Sequence, residues 1–207
     1  VDNLIGIKKF KSKINFYTYP SIEAQISAIS DDIAYNNHDI QDGIKANLFK
    51  LEDLIEIKFF KEIYKSYKSN IKKKEKNIII YQIIRDSINL MVENVINNTL
   101  LNIKDNKIKK YSDIINNKKQ IVSFSNKFKS IEQEIKLFLR LKMYNNRSVL
   151  NKNNNGKKII TKLFLEISKK PKKYINNYQN KNQFRSISDY ISGMTDRYAI
   201  QLHKSLK

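Results

Sequence analysis

The sequence predicts an all-α protein, and three observations support this fold class. The 207 residues include only four glycines and two prolines. No Asn-Gly or Asp-Gly pair lies between alternating apolar runs, although tight hairpin turns favour such pairs. Long stretches of Ile, Leu, Lys, Glu and Asn instead have apolar residues at helical spacing. Hydrophobic residues make up 41% of the chain, which is enough for the core of a domain.

We predict a basic connector over residues 1–19 and a helical part over residues 20–207, with no internal repeat or domain boundary. The chain does not begin with Met, so we expect a fragment or a processed chain. Ser21 and Glu23 predict a helix start, because serine caps free backbone amides and an acid complements the helix dipole. The first helix is predicted to end near residue 37, followed by a short helix or a continued turn over 39–46.

The later elements follow from the same spacing and from breaks in composition. We predict helices over residues 51–67, 77–101, 128–144, 157–168 and 186–203. Between them we predict a loop over 69–76, a polar connection over 102–120 and an Asn-rich loop over 145–158. Gly193 falls inside the last predicted helix, where glycine costs about 1 kcal/mol relative to alanine. We therefore expect this glycine to contact another element closely.

The formal net charge of +20 has two interpretations. Nearly all the basic residues are Lys, and Lys, Asn and Ile are encoded by AT-rich codons, so the charge is explained by a solvated surface of biased composition. The second interpretation is a field that attracts polyanions such as nucleoside triphosphates or nucleic acid. The absence of cysteine excludes disulfides and thiolate metal sites and fits a cytoplasmic location. No apolar run is long enough for a membrane span, so we expect no membrane partner.

The segment around residues 31–39 concentrates acidic residues in this basic chain. On a helix, Asp31, Tyr35 and Asp39 lie on one side at intervals of one turn. Small residues (Ala24, Ser27, Ala28) share the Asp31 side and would let another helix approach. A carboxylate beside such a partner needs a cation, a donor or a metal ion.

Simpler explanations exist for each of these residues. Asp31 alone is explained by pairing with a lysine, and Asp32 points towards the flank of the apolar side. Tyr35 alone is more typical of a core, and His38 of a surface. The only other histidine is His203, so the chain cannot assemble a histidine-rich metal site from its own residues.

Three motifs carry a resemblance to a known family. The segment SIEAQISAISDDIAYNNHDIQDGIKANLF (residues 21–49) resembles bacterial deoxyguanosinetriphosphate triphosphohydrolase-like proteins, which are HD-domain phosphohydrolases. The segment EIKLFLRLKMYNNRSV (residues 134–149) and the tail SISDYISGMTDRYAIQLHKSL (residues 186–206) are similar to motifs of the same family, in the same order. The resemblance implies the C-terminal portion of an all-helical HD-domain-type architecture.

The resemblance also implies an enzymatic activity. The family hydrolyses deoxynucleoside triphosphates, such as dGTP, to a deoxynucleoside and triphosphate. It uses a divalent metal (Mg, Mn or similar) that polarises the α-phosphate and activates a bound water. In this chain the resemblance implies that Asp31 is the last metal ligand, that Tyr35 packs on the deoxyribose, and that Asp39 accepts a hydrogen bond from the 3′-hydroxyl.

Other features of the resemblance concern the phosphates and the completeness of the site. Arg140, Lys142 and Tyr144 are candidates for phosphate contacts, against the alternative of ordinary helix-surface residues. The family's first His and its His-Asp pair precede the first motif, whereas residues 1–20 contain no histidine. We therefore expect an incompletely liganded metal and no activity of this chain alone. The resemblance further implies a homo-oligomer, although the sequence predicts no particular interface.

Two other functions remain open from the sequence. One is a non-catalytic basic helical module that binds single-stranded nucleic acid. Such modules usually interleave exposed aromatic residues with Arg, whereas the aromatic residues here mostly share apolar stripes. The other is a degraded or truncated gene product without activity.

Overall fold

A computed structural model of the chain describes residues 18–67, 76–176, 178 and 182–206. Within these ranges the chain has nine α-helices and no β-strand, so the all-α prediction is confirmed. The helices are α1 (Ile22–Lys45), α2 (Leu51–Leu54), α3 (Lys58–Lys65), α4 (Lys76–Asp105), α5 (Tyr111–Ile115), α6 (Asn126–Leu139), α7 (Arg147–Lys169), α8 (Gln183–Ser192) and α9 (Asp196–Ser205). A π-helical turn, Arg140–Tyr144, follows α6, and a 3-10 turn, Pro171–Lys173, follows α7.

Two predicted segments fall largely outside the described residues. These are the basic connector over 1–19, of which only residues 18 and 19 are described, and the loop over 69–76. The chain divides into two compact units, residues 1–143 and residues 144–207, and each has its own buried apolar cluster. The helices formed by described residues include none with the length and apolar character needed to span a bilayer.

The first helix begins and ends through local sequence features. The hydroxyl of Ser21 accepts a hydrogen bond from the amide of Ala24 at 3.3 Å, as the predicted cap requires. The helix then continues unbroken to Lys45, so the turn predicted after residue 37 is a continuation of α1. It ends before Asn47, which has a φ of 54°. Asparagine adopts this left-handed conformation more readily than most residues.

The core of the first unit is built by α1, α3, α4 and α6. The helix α4 packs against α1 and α3, and α1 also packs against α6. Fully buried side chains from these helices form the cluster: Ile40, Phe60, Ile83, Met91, Ile135 and Leu139.

The helix predicted over residues 51–67 is two short helices, α2 and α3. The carboxylate of Asp53 accepts a hydrogen bond from the amide of Lys50 at 2.8 Å and fixes the start of α2. The chain then turns before Lys58. Because of this turn Leu54, Ile57 and Phe60 are all buried in the same core.

A non-helical segment, residues 121–125, leads into α6 and is held by side-chain amides. The buried side chain of Gln25 accepts hydrogen bonds from the amides of Ile121 and Val122, each at 3.0 Å. On α4, three asparagines at intervals of four residues bind the same segment through its backbone and its serines: Asn94, Asn98 and Asn102. This segment sets where α6 begins.

In the second unit, α7 is longer than predicted. The Asn-rich loop predicted over residues 145–158 is wrong, because α7 already begins at Arg147. The side chain of Asn146 caps this helix by accepting a hydrogen bond from the amide of Ser148 at 3.0 Å. The first half of α7 is mostly exposed, and the second half buries Leu163 and Ile167. The helix ends at Lys169, before Pro171, as predicted.

The prediction of a single closing helix over residues 186–203 is also wrong. The structure has two helices, α8 and α9, and Thr195 caps α9 by accepting a hydrogen bond from the amide of Tyr198 at 3.3 Å. Gly193 lies at the end of α8 rather than inside a helix. A Cβ added at this glycine would lie nearest to carbonyl oxygens of the same helix, at 3.5 and 3.6 Å, so the expected close contact with another element is not found.

Candidate active-site side of helix α1

The helix α1 carries the predicted metal-ligand and sugar-binding residues on one side. Because α1 is unbroken from Ile22 to Lys45, Asp31, Tyr35 and Asp39 follow one another at intervals of one turn. Asp31 is exposed, and 63% of the Tyr35 side chain is accessible to solvent. Asp39 is half-buried and interacts with neighbouring groups. The three residues therefore share a side, and the first two present their polar groups to solvent.

The small residues one or two turns before Asp31 are also exposed. Ala24, Ser27 and Ala28 were expected to admit another helix. Among residues 18–67, 76–176 and 182–206, no element buries them, so these parts of the chain do not supply the expected neighbour. Exposed small side chains thus precede Asp31 and Tyr35 on the same side of α1.

The neighbouring carboxylate, Asp32, has a defined partner on α6. The ammonium of Lys136 lies 3.3 Å from the Asp32 carboxylate and 2.6 Å from that of Glu132. Burial lowers the pKa of Lys136, but the hydrogen bonds and charges of Glu132 and Asp32 outweigh it, so that the pKa is raised. Lys136 therefore stays charged and joins α6 to α1 at Asp32.

The predicted phosphate-binding residues lie in the π-helical turn after α6. Arg140 is exposed. The ammonium of Lys142 lies 2.7 Å from the Asp53 carboxylate, and this hydrogen bond holds the pKa of Asp53 below its ordinary value. The same contact raises the pKa of Lys142. Tyr144 is exposed, interacts with neighbouring groups, and falls in the second unit.

Successive residues of α6 and the π-helical turn contact successively later residues of α1 and of the chain that follows it. Lys136 meets Asp32 in the first half of α1. Phe138 packs edge-on against Phe49, at a ring separation of 4.9 Å, and Phe49 in turn lies against Gly43 near the end of α1. Lys142 then meets Asp53, beyond α1. Arg140 lies between Lys136 and Lys142 along the chain, and therefore between the ion pair with Asp32 and the ion pair with Asp53.

A metal site is incomplete in the described residues. Within them, no group of three or more His, Cys, Asp or Glu side chains is close enough together to hold a metal ion. Asp31 is one carboxylate of the kind that hard divalent cations prefer. Further ligands would have to come from outside the described residues, so these residues alone do not fit a metal centre.

A separate groove of ≈ 820 Å³ lies between α3, α4 and α6. Its lining includes apolar side chains such as Phe59, Phe128 and Ile131 and the charged residues Lys58 and Glu134. None of the predicted site residues lines it. It therefore does not correspond to the site predicted from the sequence.

Sequence reasoning missed the polar residues that hold this part of the chain together. Gln25 lies inside the first motif, and its buried side chain also donates to the carbonyl of Pro20 at 2.9 Å. A glutamine on the apolar side of an amphipathic helix was the available signal. Asn94, Asn98 and Asn102 recur every four residues, which was readable as one side of a helix.

Comparison with known proteins agrees with the motifs. Residues 122–205 match the family described as a phosphohydrolase-associated domain. A deoxyguanosinetriphosphate triphosphohydrolase-like protein of Pelagibacter ubique (strain HTCC1062) is 63% identical over 207 residues, which is 100% of this chain and 56% of that protein. Proteins of the same name from Leptospira interrogans (serovar copenhageni) and Caulobacter sp. (strain K31) are 38% and 30% identical, over 90% and 94% of this chain and 51% of each relative.

The fold and this match give the class first: the chain is all-helical in its described residues and is similar to phosphohydrolase-associated domains. More particularly, the chain is a relative of the deoxyguanosinetriphosphate triphosphohydrolase-like proteins, so the resemblance predicted from its motifs is confirmed. It spans about half the length of the curated relatives it matches. This share is consistent with the prediction that it corresponds to their C-terminal part.

Proposed function

We propose that this chain forms part of the active site of a metal-dependent deoxynucleoside triphosphate triphosphohydrolase that acts on dGTP or a similar nucleotide. The observation that carries the proposal is the unbroken helix α1, which presents Asp31, Tyr35 and Asp39 on one side at one-turn intervals. The names of the relatives support the reaction and the substrate class.

In this proposal each residue of α1 has a separate task. Asp31 contributes one carboxylate to the metal, and its exposure leaves it accessible for this task. Asp32 is held by Lys136, so it acts as an anchor of the helix rather than as a ligand. The exposed ring of Tyr35 packs on the deoxyribose, and Asp39 accepts a hydrogen bond from the sugar 3′-hydroxyl.

The triphosphate lies beside the π-helical turn in this proposal. Arg140 is the main phosphate contact, because its guanidinium is exposed and forms bidentate bonds to phosphate oxygens readily. Lys142 and Tyr144 are the two further contacts. Lys142 would have to share its ammonium between Asp53 and the substrate, and the fixed position of that ammonium supports a positioning task.

The remaining ligands of the metal come, in this proposal, from the part of the relatives that has no counterpart here. The 207-residue chain by itself then has no triphosphohydrolase activity. A cytoplasmic location, predicted from the composition, is part of the same proposal. Single-stranded nucleic-acid binding stays an alternative prediction, and a salt titration of oligonucleotide binding by this chain would test it.

The proposal can be tested in a chimaera. Residues 1–207 are joined to the segment of the Pelagibacter ubique relative that lies outside the match, and triphosphate release from dGTP is measured with Mg²⁺ or Mn²⁺. We expect metal-dependent release by the chimaera, loss of release in Asp31→Asn, and retained release in the matched variant Asp32→Asn. Retained turnover in Asp31→Asn, with an unchanged circular dichroism spectrum, would contradict the role of Asp31.

A further inference from the structure

The helices α1 and α4 leave an apolar groove between them. Val92, Ile96 and Leu100 recur every four residues on α4, and 40%, 53% and 60% of their side chains are accessible to solvent. Ile26 of α1 lines the same groove and is also exposed. The groove measures ≈ 300 Å³, and its lining is aliphatic except for one serine and one threonine. Contiguous exposed apolar surface marks a contact with another segment of protein.

The threonine of this groove, Thr99, has a polar group without a partner. Only 9% of Thr99 is accessible to solvent, and its hydroxyl forms no hydrogen bond with any described residue. A buried hydroxyl without a hydrogen bond costs free energy, so most such groups in folded proteins have a partner. Because Thr99 lines the groove, a segment that enters the groove is in a position to supply this hydrogen bond.

The lack of charge in the groove defines the kind of partner. None of the described residues that line it is acidic or basic, although the whole chain has a net charge of +20. Nucleic acids and nucleotides are held mainly through their phosphates, which pair with Lys and Arg. An uncharged groove instead fits an apolar segment of protein. A ridge of side chains at every fourth residue, as on α4, is the form that packs against another helix.

The length of the relatives and the position of the groove identify this partner. The 207 residues cover 56% of the Pelagibacter ubique relative, and the rest of that relative, the unmatched portion, has no counterpart here. In the proposed function, on which this step rests, the unmatched portion supplies the remaining metal ligands and so reaches Asp31. Ser30, the residue before Asp31, lines the groove. Packed helices lie about 8–10 Å apart, so side chains of a helix in the groove are close to this stretch of α1.

We propose that the groove between α1 and α4 is the docking surface for a helix of the unmatched portion. Apolar side chains of that helix cover Val92, Ile96 and Leu100, and one of its polar groups forms a hydrogen bond with the Thr99 hydroxyl. The groove thereby joins the unmatched portion to this chain beside Asp31.

Thiol labelling measures whether the groove is covered, because the chain contains no cysteine of its own. Ile96→Cys is introduced into the 207-residue chain and into the chimaera described above, and labelling at position 96 is followed by peptide mass spectrometry. We expect rapid labelling in the chain alone and roughly tenfold slower labelling in the chimaera, because a buried position reacts only when it opens. The matched control is Ile160→Cys on α7, where the isoleucine is 45% exposed, and it should label at the same rate in both proteins.

The labelling rates also separate the proposal from its alternatives. Slow labelling of Ile96→Cys in the chain alone would overturn the proposal, and faster labelling on dilution would then identify a second copy as the partner. Equal labelling in the chain and the chimaera, and again after the unmatched portion is added as a separate polypeptide, would overturn it as well. Equal protection of Ile160→Cys would overturn a specific role of the groove. Protection of position 96 without triphosphate release would contradict the proposed function and still support the docking surface.

Thr99→Val tests the hydrogen bond by a change of sign. In the 207-residue chain valine removes a buried hydroxyl that has no partner, so the midpoint of thermal unfolding should rise. In the chimaera the same substitution removes a hydrogen bond, so the midpoint should fall by roughly 2–4 °C. A shift in the same direction in both proteins would overturn the contact between the unmatched portion and Thr99.

Discussion

The side-chain oxygen of Gln25 accepts a hydrogen bond of 3.0 Å from the backbone amide of Ile121, although 96 positions separate the two residues. The same oxygen accepts a second bond of 3.0 Å from Val122, and both of these residues are fully buried. Gln25 therefore joins the first turn of α1 to the non-helical segment that leads into α6. The helix that carries Asp31 and the helix that carries Lys136 are held in register by this contact as well as by their ion pair.

Replacing Gln25 should destabilise the first unit strongly. In Gln25→Leu two buried amides lose their acceptor, and each buried unsatisfied group costs about 1–3 kcal/mol. We expect the free energy of unfolding, measured with urea, to fall by about 2–4 kcal/mol. The matched control is Gln133→Leu, because Gln133 is exposed on α6, and its effect should stay within about 0.5 kcal/mol. If Gln25→Leu and Gln133→Leu were equally stable, the hydrogen bonds that Gln25 accepts would not stabilise the first unit.

Two glycines should respond to alanine in opposite directions. Gly43 lies inside α1, where an added Cβ would clash with the buried ring of Phe49. Gly43→Ala should therefore cost about 1–3 kcal/mol, as overpacking does. Gly156 lies inside α7, and an added Cβ there meets no atom within 4 Å. Gly156→Ala should stabilise the second unit by about 0.5–1 kcal/mol, because alanine favours helix.

Denaturation of the two glycine variants in parallel checks both signs. The second unit has its own core, so its unfolding is followed by a probe in that unit, such as the exchange of amide hydrogens in α7. A Gly43→Ala variant as stable as the unaltered chain would show that Phe49 moves aside at no cost. A destabilised Gly156→Ala variant would show that the first half of α7 has neighbours in solution.

The elements that were predictable from the sequence depend on local signals. The start of α1 follows from the Ser21 hydroxyl, which binds an amide three residues away, and α4 follows from its long Ile-rich pattern. The common side of Asp31, Tyr35 and Asp39 needs only the pitch of one helix. These features require no knowledge of where distant parts of the chain lie.

The features that were not predictable depend on distant partners or on competing local preferences. Asn and Gly are typical of loops, so residues 145–158 were predicted as a loop, but the Asn146 cap and the buried second half of α7 extend the helix through them. Asparagine is abundant in this chain, as codon bias predicts, so the sequence alone does not single out Asn98. In the structure its side chain donates a hydrogen bond to the carbonyl of Ser123 at 2.8 Å. The expected neighbour of Ala24 and Ala28 is likewise a tertiary feature, and the described residues do not contain it.

The ion pair between Lys142 and Asp53 should make stability depend on pH in two ranges. The pKa of Asp53 is lowered from its ordinary value of 3.8, first by the hydrogen bond from Lys142 and then by the amide of Lys50. A carboxyl with a lowered pKa stabilises the fold fully above its unfolded-state pKa, and this stabilisation is lost as the pH falls through the folded-state pKa. The pKa of Lys142 is raised above its ordinary value of 10.5. Lys142 therefore stabilises the fold fully below pH 10.5, and this stabilisation is lost as the pH rises through the folded-state pKa of Lys142.

Asp53→Asn should isolate this pH dependence, because asparagine still accepts the bond from the Lys50 amide. We expect the variant to be less stable than the unaltered chain at pH 7, and the difference to shrink as the pH falls below 3.8. Lys142→Met removes the other partner and should show the same loss at pH 7. A difference that stays constant between pH 7 and strongly acidic solution would indicate that the ion pair does not stabilise the fold.

The two helices α8 and α9 and a single continuous helix predict opposite effects of one substitution, Thr195→Ala, on stability. Because Thr195 caps α9, Thr195→Ala should cost about 1 kcal/mol, whereas Thr195→Ser should retain the cap. Inside a continuous helix, Thr195→Ala would instead be stabilising, since alanine has the higher helix propensity. Gly193→Ala should change stability by less than about 0.5 kcal/mol, because its φ of −80° suits any residue and the added Cβ makes ordinary contacts. Thermal unfolding of the three variants distinguishes the two interpretations. A Thr195→Ala variant that is more stable than the unaltered chain would support one continuous helix over residues 186–203.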